Sequence, residues 1–182
     1  MVVVQAMEAL GNEFILIDAI SQKIDSEEEL KLLKTCAEEF SFDQLLFLEP
    51  PTQKHAHLKL KIYNVDGSLA ENCVNGIRAL ALYAFDESLV FSNTFILQIE
   101  DNLAQITRLQ ENEFAVKMSS FKFTKSSCAI ADSQELQFNF EGTDIKFYPV
   151  SVGNPHAVIF QDSLSDQIPE MGLSLQKSNI YK

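Results

Sequence analysis

Cys73 is the residue of this sequence best placed to do chemistry, because it lies just ahead of a helical pattern. An apolar stripe at positions i, i+3, i+4, i+7 and i+8 indicates the helix: Ile77, Leu80, Ala81, Ala84 and Phe85. We expect Asn75 or a neighbour to cap it, with Gly76 allowing close backbone approach. A thiol at a helix start meets unpaired N–H groups and the positive end of the helix dipole, which lower a cysteine pKa from about 8.5. The sequence therefore predicts a low-pKa thiol beside an N–H cluster that could hold a carboxylate.

His156 is the second candidate for chemistry. It follows Gly153-Asn154-Pro155 and precedes an apolar strand pattern, a position that would present an imidazole at a cleft. His55 and His57 are expected to share one face of a strand. Because no carboxylate or thiol nearby completes a ligand set, no metal site is predicted.

Side-chain amides recur at turns before or after the predicted strands. They are Asn12, Gln44, Asn64, Asn75 and Asn154. Each taken singly is ordinary turn chemistry. If the fold brings them together, they could converge on a zwitterion. No GxGxxG or phosphate-loop motif is present, so nucleotide chemistry has no support.

Charge and cysteine content exclude some classes of partner. The 182-residue chain has a net charge of −12, with 26 acidic residues against 14 basic ones and no basic cluster. That argues against binding nucleic acid or an anionic membrane, since both need a positive surface. No run approaches the roughly 20 apolar residues of a membrane span, and the start lacks a secretory signal pattern. Cys36, Cys73 and Cys128 lack CxxC spacing, which favours reduced thiols in the cytoplasm, with Cys36 a core or boundary residue.

The predicted elements are mostly short strands joined by tight turns. In chain order they are a hairpin over residues 2–18, a helix from a capping box at 26–29 to about Phe40, strands at 45–48 and 58–62, the Cys73 helix, an antiparallel meander over 95–118, a hairpin over 136–147, an apolar strand at 157–160 and a tail of loop and short helix. The polar stretch 119–133 is the best candidate for a domain boundary. We therefore expect one domain over 1–118 and part of another over 119–182.

Five stretches together resemble the cofactor-independent diaminopimelate epimerases. They are L-G-N-E-F at 10–14, F-D-Q-L-L at 42–46, Y-N-V-D-G-S at 63–68, C-V-N-G at 73–76 and V-G-N-P-H at 152–156. The resemblance implies an α/β (α+β) fold of two similar domains. Each is a mixed or antiparallel sheet wrapped round a central helix, and the second, pseudo-symmetric domain is incomplete in this sequence. The same resemblance implies an enzyme that uses no cofactor and forms homodimers.

The mechanism that the resemblance implies uses two cysteines, one on each side of the substrate α-carbon. One thiolate removes the proton and the other thiol donates one to the opposite face, interconverting LL- and meso-diaminopimelate for lysine and peptidoglycan precursors. Cys73 matches the first cysteine and His156 a histidine that assists it. The substrate-binding positions are Asn12, Gln44, Asn64, Asn75, Asn154 and Asn179, with backbone N–H groups of Val74 and Asn75 for the carboxylate.

The sequence departs from the family pattern at three places. Met7-Glu8-Ala9 replaces the usual M-H-G, and Val74 replaces a glycine beside the thiol. The family's second cysteine lies beyond the S-N-I segment, with a glutamate and an arginine for the substrate, and this sequence ends at Lys182. We therefore expect the chain to be truncated and inactive alone. The alternatives are a non-catalytic protein that binds an amino acid or a partner, and a related proline or hydroxyproline racemase.

Overall fold

The computed structural model describes residues 2–25, 28–70, 72–118, 122–131, 135–163, 165–178 and 180. The chain divides into two compact units, residues 1–119 and 120–182. The interpretation of residues 119–182 as the start of a second, similar domain stays a prediction.

Unit 1 is built on a seven-stranded sheet whose strands are neighbours in chain order. Its elements are β1 Gln5–Ala9, β2 Asn12–Asp18, α1 Ala19–Gln22, α2 Glu29–Glu39, β3 Gln44–Glu49, β4 Leu58–Asn64, α3 Val74–Asp86, β5 Thr94–Ile99, β6 Asn102–Gln110 and β7 Glu113–Lys117. The pairs β2–β3 and β4–β5 are parallel, and the other neighbours are antiparallel. The sheet is therefore mixed, as expected.

Helix α3 is the central helix of unit 1. It contacts β1, β2, β3 and β7, so both edge strands of the sheet reach it and the sheet curls round it. Ile77, Leu80 and Ala84 of the predicted stripe are buried, while Phe85 is half-buried. The prediction of a sheet wrapped round a central helix is confirmed.

The middle strands are buried on both faces because helices cover both. Alternate residues of β2, β3 and β4 pack toward α3, among them Phe14, Leu46 and Ile62. The residues between them, such as Ile15 and Leu45, join a second core together with Leu33 of α2. This two-sided burial explains why β2 and β3 read as continuous apolar runs rather than as alternating patterns.

The opening hairpin is confirmed, and its turn gives Glu8 a structural role. Leu10 and Gly11 both have positive φ, at 52° and 83°, which is the backbone of a tight two-residue hairpin turn. The Glu8 carboxylate accepts a hydrogen bond from the Gly11 N–H at 2.8 Å. The departure at Glu8 therefore stabilises the turn that places Asn12 at the start of β2.

The capping-box prediction for α2 is wrong at Glu29. Ser26 and Glu27 lie outside the described residues, and Glu28 is the N-cap without a side-chain bond. The Glu29 carboxylate is buried and instead accepts from Lys61 Nζ at 2.8 Å and from the Tyr63 hydroxyl. A carboxylate removed from water needs strong donors, and β4 supplies them. The helix ends at Glu39, with Phe40 as its C-cap.

Unit 2 contains two separate hairpins and a helix. A short 3₁₀ turn at Ser126–Cys128 precedes β8 Gln137–Phe140, β9 Thr143–Lys146, β10 Tyr148–Ser151, β11 Pro155–Val158 and α4 Ile168–Gln176. β8 pairs with β9 and β10 with β11, both antiparallel. The core includes Cys128, Phe138, Phe147, Met171 and Leu175.

Two expectations about histidines are wrong. His156 lies within β11, which begins at Pro155, rather than ahead of the strand. His55 and His57 lie in the turn before β4 and not on a strand, and His57 Nδ1 accepts from the Ile96 N–H at 3.0 Å. Among the described residues no cluster of metal-ligating side chains occurs, and no described helix has the length and apolar character needed to cross a bilayer.

Candidate functional site

Cys73 is itself the N-cap of α3. Its backbone is extended, with φ −145° and ψ 100°, and its Sγ accepts a hydrogen bond from the Gly76 N–H at 3.3 Å. Of the expected caps, Asn75 or a neighbour, the neighbour Cys73 is the one used, and Asn75 lies in the first turn. The sulfur takes the position that a serine or aspartate oxygen occupies at other helix starts.

Gly76 lets the start of α3 pack closely against β3. A Cβ at this position would lie 3.0 Å from Leu46 Cδ2 and 3.5 Å from Cys73 Sγ. The absence of a side chain lets the first turn of α3 approach Leu46 of β3 closely. The predicted role of Gly76 in close backbone approach is confirmed.

The predicted low pKa of Cys73 is wrong. Burial of the half-buried thiol raises its pKa, and the nearby Asp43 carboxylate raises it further. Hydrogen bonds from the Gly76 and Asn75 N–H groups act in the opposite direction but do not prevail. The free-energy cost of removing a thiolate from water is larger here than the stabilisation that two backbone donors give it. At neutral pH the group is a protonated thiol.

A first chain of hydrogen bonds joins Asn75 to the sheet. Asn75 Nδ2 donates to Asn12 Oδ1 at 2.9 Å. Asn12 Nδ2 donates in turn to Asp43 Oδ2 at 3.1 Å. The same carboxylate oxygen accepts from the Glu13 N–H at 2.9 Å. Residues from α3, β2 and the segment before β3 thus meet at one end of the sheet.

A second chain runs across β3 and β4. Gln44 Nε2 donates to Asn64 Oδ1 at 2.9 Å, and Asn64 Nδ2 donates to Ser68 Oγ at 3.0 Å. The Ser68 hydroxyl donates to Asp66 Oδ1 at 2.6 Å. The turn that leads toward Cys73 is therefore tied to the sheet through two amides.

Strand register explains why these amides share one edge. Phe14 lies opposite Gln44, and Gln44 opposite Asn64. Since side chains alternate along a strand, Gln44 and Asn64 lie on the face of Leu46 and Ile62, which is the face that packs on α3. Asn12 lies two residues before Phe14 on that same face. Four predicted amides and Cys73 thus lie at the N-terminal end of α3.

Val74 is the first residue of α3, and its side chain is 40% exposed. The valine therefore lies on the surface of the helix start, where it neighbours the thiol without entering the core. Its role, like those of the other predicted site residues, stays a prediction.

The unit 2 candidates form a local pair. His156 Nε2 lies 3.2 Å from Asn154 Oδ1, and the imidazole is exposed. Asn179 lies outside the described residues. Asp43, Asp66 and Ser68 were missed as contributors to the site. The signal for Asp43 was present in the F-D-Q-L-L motif, where it directly precedes Gln44.

The fold is of the kind found in amino-acid racemases and epimerases. The structure is similar to that of a hydroxyproline epimerase from Agrobacterium vitis, with a TM-score of 0.61, 9% identity, and coverage of 86% of this chain and 50% of that one. It is also similar to a predicted epimerase from Pseudomonas aeruginosa, with a TM-score of 0.55, 14% identity, and coverage of 96% and 67%. At these identities the similarity shows the fold alone.

The chain belongs to the diaminopimelate epimerase family, whose model matches residues 4–124. It is 31% identical to the diaminopimelate epimerase of Teredinibacter turnerae over 164 residues, which is 87% of this chain and 59% of that protein. It is 32% identical to that of Psychrobacter cryohalolentis over 167 residues, or 88% and 57%. The chain thus spans somewhat more than half the length of these relatives.

Proposed function

We propose that this chain carries one half of the proton-transfer site of a diaminopimelate epimerase. Cys73 is its acid/base group on one side of the substrate α-carbon. The observation that carries the proposal is that the Cys73 sulfur caps α3 next to the amide chain of Asn75 and Asn12. A sulfur, backbone N–H donors and amide oxygens are then available to one small zwitterion.

The proposed reaction is an inversion at the α-carbon of LL- or meso-diaminopimelate. The Cys73 thiolate takes the α-proton and leaves a planar carbanion, and a second acid delivers a proton to the opposite face. The two groups exchange protonation states in each turnover, so atoms and charge balance. Because the Cys73 thiol is held protonated at neutral pH, it is better suited in this resting state to donate than to abstract.

The remaining roles are binding and orientation. The N–H groups at Val74 and Asn75, at the positive end of α3, bind the α-carboxylate. Asn12, Gln44 and Asn64 bind the other polar groups of the substrate. The proposed roles of His156, Asn154 and Asn179 rest on the family resemblance alone. No cofactor is part of the proposal.

The second acid/base group is proposed to come from a polypeptide segment other than residues 1–182, which would also complete the domain begun by 119–182. A cytoplasmic homodimer is the proposed assembly. On this proposal the 182-residue chain alone does not epimerise its substrate.

A second candidate is a protein of the same fold that binds an amino acid without catalysis. The raised pKa of Cys73 favours it, because a thiol that stays protonated is a poor base. A proline- or hydroxyproline-type racemase is a third candidate, and the fold similarity is compatible with it. The family match favours diaminopimelate.

Hydrogen exchange tests the proposal. The chain is incubated with LL-diaminopimelate in D2O, and returned substrate and meso product are analysed for α-deuterium. We expect no detectable meso product. Deuterium in the returned LL substrate that is absent with Cys73→Ser would be the signature of one-sided proton removal. Full turnover by this chain would contradict the half-site proposal, and no deuterium at all would favour the binding candidate.

Covalent labelling tests the identity of the base. An aziridine analogue of diaminopimelate should alkylate Cys73 ahead of Cys36 and Cys128, which are 4% and 0% exposed. Cys36→Ser and Cys128→Ser are the matched controls and should label like the wild type. Equal labelling of all three thiols would count against a substrate site at Cys73.

A further inference from the structure

We propose that Asp43 and Asp66 are positioning residues. They determine which end of each side-chain amide in the site, the NH2 donor or the carbonyl acceptor, is left for a ligand. Each aspartate ends one of the two chains of hydrogen bonds, and at the other end of each chain an amide carbonyl oxygen accepts no bond from the described residues. These oxygens, of Asn75 and Gln44, would accept from the ammonium group of a ligand. The ligand's identity rests on the proposed function, whereas the two chains do not.

The first chain has a direction that Asp43 imposes. An ionised carboxylate can only accept hydrogen bonds, so Asn12 must turn its Nδ2 toward Asp43. Asn12 Oδ1 then lies on the other side, where it accepts from Asn75 Nδ2. Asn75 has thereby used a donor, and its Oδ1 accepts no hydrogen bond within the described part of the chain. The Glu13 N–H and then the Asn12 amide hold the pKa of Asp43 below its usual range, which keeps this anchor ionised.

The hydrogen bonds of the second chain also donate toward an aspartate, but through one more side chain. Asp66 accepts from both the backbone N–H and the hydroxyl of Ser68. With its proton committed to Asp66, the Ser68 oxygen accepts from Asn64 Nδ2, and Asn64 Oδ1 accepts from Gln44 Nε2. Gln44 Oε1 likewise accepts no hydrogen bond from the residues that the structure describes. The bonds from Ser68 hold the pKa of Asp66 low.

The consequence is a site in which the positions of hydrogen-bond donors and acceptors are fixed. An isolated Asn or Gln can present either end of its amide, so amides alone do not distinguish an ammonium from a carboxylate. With Asp43 and Asp66 in place, the amides offer acceptors, while the N–H groups at the start of α3 offer donors. A zwitterionic amino acid then fits in one orientation, with its carboxylate at the helix and its ammonium at the amides.

The test reads the amides directly, without ligand or turnover. Side-chain NH2 signals of ¹⁵N-labelled protein are compared for the wild type, Asp43→Ala and Asp66→Ala. Asp43→Ala should move the signals of Asn12 and Asn75 and leave those of Asn64 and Gln44 unchanged, and Asp66→Ala should do the reverse. Asp43→Asn, whose carbonyl can accept the same bonds, should restore the wild-type pattern. If Asn75 stays unmoved in Asp43→Ala, or if either variant moves both pairs, the inference is overturned.

A titration of the wild type covers the case in which a variant fails to fold. The signals of Asn12 and Asn75 should shift together as Asp43 protonates, at a pH below the ordinary range of an aspartate. Shifts of Asn12 without Asn75 would overturn the first chain.

Binding separates the inference from the proposed function. LL-diaminopimelate is compared with its α-hydroxy analogue, and Asp43→Ala should reduce the preference for the ammonium ligand about tenfold to a hundredfold. If the wild type binds and Asp43→Ala keeps the full preference, the inference alone is overturned. If the amide signals behave as expected but the wild type binds neither ligand, the ligand part of the inference fails together with the proposed function.

Discussion

The two faces of the unit 1 sheet differ in how their polar side chains are hydrogen-bonded. On the α2 face, Glu29, Lys61, Glu49, Lys59 and Tyr63 form a network of charges that bond to one another. On the α3 face, the buried Asp18 carboxylate accepts a hydrogen bond from the Tyr83 hydroxyl. At the start of α3 the polar groups are instead two chains of neutral amides, which begin at the exposed Asp43 and Asp66 and end at Asn75 and Gln44. The charged groups of the α2 face bond to one another. The terminal amides of the two chains each have a carbonyl oxygen that accepts no bond from the described residues.

Unused hydrogen-bonding groups identify the candidate binding site here, whereas the number of charged groups does not. The Glu29 network has more ionised groups, and its environment raises the pKa of Tyr63, through burial first and then through the Glu29 carboxylate. Perturbed groups of this kind often mark active sites, but structural ion networks produce them too. Here every carboxylate of the network has a cation, so we interpret it as an anchor of α2 on β4. The amide edge is the better candidate for binding.

The largest expected effect is on the α2 face. Lys61→Met leaves the buried Glu29 carboxylate with the Tyr63 hydroxyl but without its cation, and should lower the free energy of unfolding by about 3–5 kcal/mol. Lys59→Met is the matched control and should cost about 1 kcal/mol or less, because Glu49 keeps Lys61. Urea unfolding measures both. Equal losses would mean that the network does not depend on Glu29.

The next effect concerns the packing of α3 on β3. Gly76→Ala places a methyl group 3.0 Å from Leu46 Cδ2, and the strain should exceed the gain in helix propensity, for a net loss of about 1–2 kcal/mol. Gly172→Ala in α4 meets nothing within 4 Å and should instead stabilise by about 0.5–1 kcal/mol. Thermal unfolding of the two variants gives the comparison. A stabilised Gly76→Ala would show that α3 does not need its close approach to β3.

A smaller effect is expected for the amide edge. Gln44→Leu removes one hydrogen bond of a half-buried amide and should cost about 1 kcal/mol of stability. If the amide binds ligand, affinity for diaminopimelate, measured by calorimetry, should fall about tenfold or more. Gln105→Leu, at an exposed position on β6, serves as control and should stay within about 0.5 kcal/mol of wild type. Loss of stability without loss of affinity would place Gln44 with the structural face.

The smallest effect is a shift in the reactivity of Cys73. Only the thiolate reacts with iodoacetamide, so a raised pKa means that the alkylation rate rises at a higher pH than for a cysteine peptide. Asp43→Asn removes a negative charge that disfavours the thiolate and should move the midpoint to lower pH. Because burial is the larger cause, the midpoint should remain above that of the peptide. Peptide mapping by mass spectrometry follows each thiol. An unchanged midpoint in Asp43→Asn would show that the Asp43 charge does not affect the Cys73 thiol.

Much of unit 1 could be predicted because its strands carry strong local signals. Turn residues such as Gly11 and Asn112 separate the strands, and the apolar spacing of α3 allows one buried face. The capping box failed because a Ser–Glu spacing says nothing about a lysine on a distant strand. Lys61 lies 32 residues from Glu29 and takes its carboxylate away from the helix start.

The sequence by itself determined most of the elements, the family and the residues that carry its motifs, since these depend on local spacing and on residue identity. It did not predict α1 or β10. Only the tertiary structure decided that Cys73 is half-buried and has a raised pKa, because desolvation depends on what packs round the sulfur. It also decided which end of each amide faces outward. That choice belongs to hydrogen-bond partners distant in sequence, such as Asp43 for Asn12, and no local pattern contains it.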